Sequence, residues 1–277
     1  MPSLEVLMSA MYQQDLSLAK QCEPETDVLL INQCDEENYC EELYNGHKIR
    51  MISTKERGIS NSRNMAIRNA VGDICIICDD DEKYHRGYRA AILKAYDEKP
   101  DADIIAFNVE HINPRAKMKL IKDFKRAGRF KTYGAWCLTF KREVILDNNI
   151  QFNTDFGPGS EKIMCGEESV WQYDAKKKGL HIYEHPFCIA EVAQSDSTWF
   201  NGYNEQFFYD KGAFLQTAMP KLKHLFKYYY VYRLKANTTL SIKEQLQWIN
   251  RGMAGIKEGY SYEEYNTNRL SDKEEAR

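Results

Sequence analysis

Ile74-Cys75-Ile76-Ile77-Cys78-Asp79-Asp80-Asp81 is the stretch that decides how this chain folds. Five apolar residues stop abruptly at three carboxylates, the pattern of a buried strand that projects acids from a sheet edge. Carboxylates packed this closely repel and resist full ionisation unless water or a cation offsets the charge. A hard divalent ion held by one or two of them, with water and substrate phosphates completing its shell, meets that demand. A water-facing acidic turn meets it equally well, so the flanks must decide.

Upstream runs Gly58-Ile59-Ser60-Asn61-Ser62-Arg63-Asn64, then Ile67, Ala70 and Gly72. Gly58 releases the chain from a strand, and Ser60 or Asn61 is suited to cap the next helix. Ile67 and Ala70 suit the inner face of that helix, and Gly72 suits its C-terminal stop. The order is strand, loop, helix, glycine, strand, carboxylates. That is half of an open α/β sheet with its acids at the strand's carboxyl end, where such sheets bind ligands.

On Gly58, Ser60, Arg63, Asn64, Gly72, Asp79 and Asp81, taken in order, the chain resembles the family 2 glycosyltransferases, inverting enzymes with the GT-A nucleotide-sugar fold. A second signature of that family, Gly-Glu-Asp or Gly-Glu-Glu before an apolar helix, stands here as Gly166-Glu167-Glu168 ahead of Val170 and Trp171. The resemblance covers roughly residues 3–190. It implies a metal-dependent transfer of sugar from a nucleotide sugar, UDP-linked by preference, to a hydroxyl of a saccharide or lipid-linked saccharide in bacterial surface polysaccharide synthesis.

Composition agrees with a soluble cytoplasmic enzyme. The 277 residues carry 38 basic and 41 acidic side chains, so a net charge of −3 offers nucleic acid no global attraction. No apolar run approaches the ~20 residues of a membrane span, and the start Leu4-Glu5-Val6-Leu7-Met8 lacks a signal-type pattern. Eight scattered cysteines read as reduced thiols, and Cys75 and Cys78, inside an apolar strand, read as packing rather than as a redox or zinc pair.

Alternating patterns predict strands at 4–9, 27–32, 49–52, 73–78 and 104–109, with helices at 14–21, 60–71 and 85–98. Ala91, Leu93, Ala95 and Tyr96 are the inward candidates of the last helix. This is an α/β fold with a mostly parallel central sheet, helices on both faces and a helical C-terminal extension. The expected domains are a catalytic one at 1–195, an aromatic and basic helical extension at 196–260, and a polar, flexible tail at 261–277. In the extension, Trp199, Phe200, Tyr203, Phe207, Phe208, Tyr209 and Phe214 precede a basic and aromatic segment at 220–235. That segment suits either a peripheral membrane contact on the inner face of the membrane or a helix packed on its own domain. Residues 241–257 read as another amphipathic helix.

The resemblance assigns roles residue by residue. Asp81 binds Mn²⁺ or Mg²⁺, Asp79 supports the ion or reaches the ribose, and Asp80 lies beside them. Arg63 contacts nucleotide or diphosphate, with a solvated helix-surface arginine as its ordinary alternative. The family's first strand ends Pro-Thr-Tyr-Asn and its second ends in an Asp on the uracil. Here the ends are Ser9-Ala10-Met11-Tyr12 and Asn32-Gln33-Cys34-Asp35, making Ser9 and Asn32 the nucleotide-site candidates. An amide both donates and accepts, unlike an ionised carboxylate, and Asn32 serves equally as a turn residue. Glu168 stands at the general-base position and Glu167 on the acceptor side, though acids in a first helical turn also complement its dipole. Trp136, expected on a strand over 134–142, offers its ring to a sugar face or fills a core. The glycine-bearing loop 156–160 has the composition of a mobile flap.

Two other function classes compete. A nucleotidyltransferase making activated sugars shares the acid-bound metal but wants a glycine-rich phosphate loop near the first strand, and Ser9 to Leu18 has no glycine. A catalytically silent nucleotide-sugar-binding protein would bind metal and nucleotide without transfer. A phosphatase of the haloacid dehalogenase type fits poorly, because Lys83 stands where that family wants Thr or Val.

Overall fold

The computed structural model describes residues 2–112, 120–192 and 202–267. At the heart of its sheet is β5 (Ile74–Cys78), whose five residues are all buried. β1 (Leu4–Met11) lies parallel beside it, Met8 opposite Cys78, and β2 (Asp27–Gln33) and β4 (His47–Thr54) continue the parallel run. With β3 (Asn38–Tyr44), β6 (Glu82–Tyr84), β7 (Ile104–His111), β8 (Lys125–Arg126), β9 (Leu138–Lys141) and β10 (Ile182–Val192), the order is β3-β4-β2-β1-β5-β9-β7-β10-β6, β8 pairing β10.

The sheet is mixed rather than mostly parallel. β9 runs antiparallel to both β5 and β7, while β3 and β6 add antiparallel edges. The β3–β4 hairpin, absent from the expected strands, turns on Asn45-Gly46, both at positive φ. Asn-Gly is a strong two-residue hairpin signal, because both positions tolerate that backbone.

Helices α1 (Ser17–Gln21), α2 (Ile59–Asn69), α3 (Tyr88–Glu98) and α4 (Arg142–Asp147) connect the strands, and α5 (Glu167–Lys177) precedes β10. In α3 the buried positions are Tyr88, Ile92, Ala95 and Tyr96, so the inner face is one residue out of phase with the expected Ala91 and Leu93. Gly72 is not the helix stop. α2 ends on Ala70 in extended backbone, and what Gly72 provides is close approach, since a Cβ there would lie 2.7 Å from Glu5 Cβ. The buried Glu5 carboxylate accepts the Val71 and Gly72 N–H groups at 2.6 and 2.9 Å and pairs with Arg50.

The chain divides into two compact units, one of Met1–Phe152 with Asp174–Asp196 and one of Asn153–Tyr173 with Ser197–Arg277. The sheet belongs wholly to the first. The second is helical, with α6 (Glu205–Ala218), α7 (Lys223–Leu234) and α8 (Ile242–Glu258). Its core joins Phe156, Ile163 and Val170 to Phe208, Tyr209, Phe214 and Ile249. Asn153–Tyr173 goes with the C-terminal helices, because its apolar side chains are buried among theirs. α8 begins with a reciprocal Ser241–Glu244 capping box, the reason its start is sharp. Trp199, Phe200 and the tail beyond residue 267 lie outside the described residues. All eight cysteines are free thiols, and among the described residues no helix is long and apolar enough to cross a membrane.

Candidate functional site

Parallel register brings the carboxyl ends of β1, β2 and β5 to one edge, and with them Ser9, Asn32 and Asp79. Ser9 is buried and its hydroxyl accepts from Ser62 Oγ at 2.8 Å, tying β1 to α2. Gly58, at φ 97, is the N-cap residue of α2, and no side chain caps that helix. Ser60 and Asn61, expected as caps, lie inside its first turn, where Asn61 donates to the Arg57 carbonyl at 2.8 Å. The chain reaches helical geometry as soon as it leaves the glycine.

One turn into α2, Arg63 is buried, not solvated. Its Nη2 donates to Asp79 Oδ1 at 2.8 Å, and its guanidinium lies 5.5 Å from the centre of the Phe152 ring. Asn64 holds that phenylalanine in place, its side chain exchanging two 2.8 Å hydrogen bonds with the Phe152 backbone. Two motif residues thus build one clamp, of which Asn64 is the structural half and Arg63 the half that faces the acids.

The acids form a graded set. The Asp79 N–H donates to Glu82 Oε1 at 2.9 Å, and burial, reinforced by the Asp79 charge, pushes the Glu82 carboxyl well above its ordinary range. Asp81 is exposed as a residue, but its carboxyl is partly shielded from water. That shielding, with the charges of Asp79 and Asp80, raises it to about 6. Asp80 is raised too, by burial and by the Asp79 charge. Among the described residues no three His, Cys, Asp or Glu side chains converge on a ready-made cage. An all-oxygen pair of acids is nonetheless what Mg²⁺ or Mn²⁺ takes when a diphosphate supplies the rest. The donor set therefore fits a metal shared with a nucleotide and does not fit one held by protein alone.

Asn32 is buried and its side chain bonds within the protein. Its Oδ1 accepts the Gln13 N–H at 2.8 Å, and its Nδ2 donates to the Gln13 carbonyl at 2.9 Å and to Ser53 Oγ at 3.1 Å. The turn reading of Asn32 describes this geometry. What the strand ends present outward is Asp35, its side chain 79% exposed and paired with Arg57 at 2.6 Å. The Arg57 guanidinium sits 5.7 Å from the centre of the Tyr12 ring. Tyr12, at φ 53 and half exposed, is held in a conformation uncommon for its type. None of these three is among the candidates that the sequence offers for the site. The signal for Asp35 was present three positions after Asn32, but nothing local says that β2 runs on through Gln33.

In the second unit, α5 opens on Glu167 and Glu168 after Gly166 at φ 97. Glu167 is buried and Glu168 half-buried. Just ahead, the Met164 N–H donates to Asp210 Oδ2 at 3.3 Å from the buried face of α6. The loop expected to be mobile is knitted together. Phe156 bridges Ile163, both fully buried, Ser160 Oγ donates to the Asp155 carbonyl at 2.8 Å, and Asp155 pairs with Lys162 at 2.8 Å.

Trp136 lies not in a strand but in a 3-10 turn, Ala135–Cys137, that leads into β9. Half-buried, it stands edge-on to His111 at the end of β7, ring centres 5.7 Å apart.

The model of Glycosyl transferase family 2 matches residues 16–162, just over half of the chain and inclusive of Arg63 and Asp79–Asp81. Ser9, Glu167 and Glu168 fall outside that span. No curated protein matches the chain. Among solved structures, S. aureus TarS 1–349 is similar in fold over 94% of this chain and 93% of that one, at 12% identity and a TM-score of 0.57. The same protein in complex with UDP matches over the same shares at 14% and 0.59. In complex with UDP-GlcNAc it matches over 94% and 73%, at 14% and 0.55.

Proposed function

The chain belongs to glycosyl transferase family 2 and is a glycosyltransferase, and on that premise we propose that it moves a sugar, with inversion, from a UDP-linked donor to a hydroxyl of a saccharide or lipid-linked saccharide. The observation that carries the reading is the Arg63–Asp79 pair at the carboxyl end of β5, with Asp80 and Asp81 in the same turn. The UDP and UDP-GlcNAc complexes of the similarly folded TarS support the choice of donor.

In this reading Asp79 and Asp81 hold Mn²⁺ or Mg²⁺ together with the donor diphosphate. The bound cation supplies Lewis-acid neutralisation of charge on the departing nucleotide. Arg63 holds Asp79 in its orientation and adds positive charge beside the phosphates. Asp35, Arg57 and the Tyr12 ring offer the base its contacts, and Ser9 keeps the end of β1 against α2. Glu168 removes the acceptor hydroxyl proton as the oxygen attacks the anomeric carbon, a role for a carboxylate within hydrogen-bond reach. Glu167 shapes the acceptor side, and Trp136 presents the accessible part of its ring to a sugar face. The polysaccharide pathway and a cytoplasmic location belong to the same proposal.

The test is calorimetry of UDP binding with and without Mn²⁺, followed by a screen of nucleotide sugars for metal-dependent hydrolysis. Metal-dependent UDP affinity in the parent should vanish in Asp81→Ala. Equal affinity in parent and variant would overturn the metal assignment, and hydrolysis of no UDP-sugar would overturn the donor.

A further inference from the structure

We infer that α7 is a docking helix for the surface of an anionic lipid bilayer. Leu225, Tyr228, Tyr229 and Tyr232 fall at positions i, i+3, i+4 and i+7 of one helix, so they form a single stripe. All four are between 48% and 73% exposed, whereas Val231 on the opposite face is 3% exposed and packs into the second unit's core. The 12 residues of α7 span ~18 Å. An apolar and aromatic stripe of this length on an outer face calls for a partner.

The charge beside the stripe says which partner. Lys221, Lys223, Lys227, Arg233 and Lys235 are the charged residues between Met219 and Ser241, and no Asp or Glu occurs there. None of the five pairs with a carboxylate among the described residues. Three of them flank the rings: Arg233 Nη1 donates to Tyr229 Oη at 2.9 Å, Lys227 lies 5.1 Å from the Tyr228 ring centre, and Lys235 lies 4.7 Å from that of Tyr232. Lys223 and Lys227 also donate to the neutral amides of Gln216 and Asn250 at 2.7 and 3.0 Å, which leaves their charge uncompensated. Tyrosines with a polar tip on an apolar body, and lysines whose stems run along them, suit the boundary between headgroups and acyl chains. A second copy packed α7 against α7 would set five cations against five with no acid between them, which disfavours a self-complementary dimer. The chain's net charge of −3 gives no general pull toward polyanions, so the attraction is local to this face.

The inference stands apart from the transfer chemistry, and its test needs none. Sedimentation with vesicles of phosphatidylcholine alone and of phosphatidylcholine with phosphatidylserine separates charge from bulk lipid. The protein should pellet with the anionic vesicles, weakly or not at all with the neutral ones, and less as salt rises. Replacing Lys221, Lys223 and Lys227 with Glu should lower the partition coefficient roughly 100-fold or more. Leu225→Ser with Tyr228→Ser and Tyr232→Ser should abolish binding while circular dichroism and Mn²⁺–UDP affinity stay at parent values, because these side chains are exposed. Failure of the parent to pellet with anionic vesicles at low salt overturns the inference. So does binding that both variants retain, and so does a concentration-dependent dimer in light scattering that the serine variant dissolves.

Discussion

Glu168→Gln keeps the size of the side chain and most of its hydrogen bonding but cannot take a proton. Loss of a general base costs ~10²–10⁴-fold in rate. Transfer should therefore collapse in this variant while Mn²⁺–UDP affinity holds, because donor binding is assigned to the acids after β5. Glu167→Gln serves as the control, expected to weaken acceptor binding more than turnover. Near-parent transfer by Glu168→Gln would move the base elsewhere, and Asp155, already paired with Lys162, is a poor second choice. Asp210 makes a different claim, about stability. Burial raises its carboxyl to about 7, partly opposed by the Met164 N–H and by Lys211, and its Oδ1 has no hydrogen-bond partner among the described residues. For an acid whose folded pKa exceeds its unfolded value of 3.8, the folded state holds the extra proton between those two values. This group's contribution is therefore most favourable below pH ~4 and is lost as pH rises toward 7, the reverse of a salt-bridged acid. Asp210→Asn should flatten that part of the profile and stabilise the protein at pH 8, read by urea denaturation at several pH values. A variant no more stable than the parent at pH 8 would refute the burial argument.

Between helices, the crossing of α6 and α8 depends on the absence of side chains. A Cβ on Gly252 would lie 1.8 Å from the Tyr209 carbonyl oxygen, a backbone atom that cannot swing away. On helix propensity alone Gly252→Ala would gain ~0.5–1 kcal/mol. The contact reverses the sign, and forcing the two helices apart should cost ~1–3 kcal/mol or more. Chemical denaturation of Gly252→Ala measures this directly, and a neutral or stabilised variant would show that the crossing relaxes freely. Gly72 is a glycine for the same reason, close approach. A glycine after a helix suggests a left-handed stop, but the cause here is Glu5, 67 residues away in sequence, whose carboxylate collects two backbone N–H groups. Capping failed at Ser60 for a related reason: a helix that starts directly on Gly58 leaves its polar residues inside the first turn.

For the molecule as a whole, ligand binding and folding are linked. UDP with Mn²⁺ at 100 times its dissociation constant adds ~2.7 kcal/mol to the state that binds it. At ~2–4 °C per kcal/mol for a domain of this size, thermal denaturation should shift upward by ~5–10 °C. Asp81→Ala should erase the shift, and a parent protein that melts unchanged would contradict the donor site. Much of that site was legible in local pattern. An apolar run cut off by acids, a helix with Arg63 on it, and strands alternating with helices each follow from periods of two and 3.6 residues and from charge, all properties of neighbours along the chain. Those features determined the α/β fold, the sheet edge that carries the candidate site, and the acids proposed for its centre. Only tertiary structure turned Asn32 inward onto Gln13 and Ser53, leaving Asp35 and Tyr12 outward. It alone reversed β9 between β5 and β7, and it alone joined Asn153–Tyr173 to the C-terminal helices. The reason is physical. Which hydrogen-bond partner a buried amide finds, and which core an apolar loop enters, depend on groups brought close by folding across tens of residues, and no local period encodes that distance.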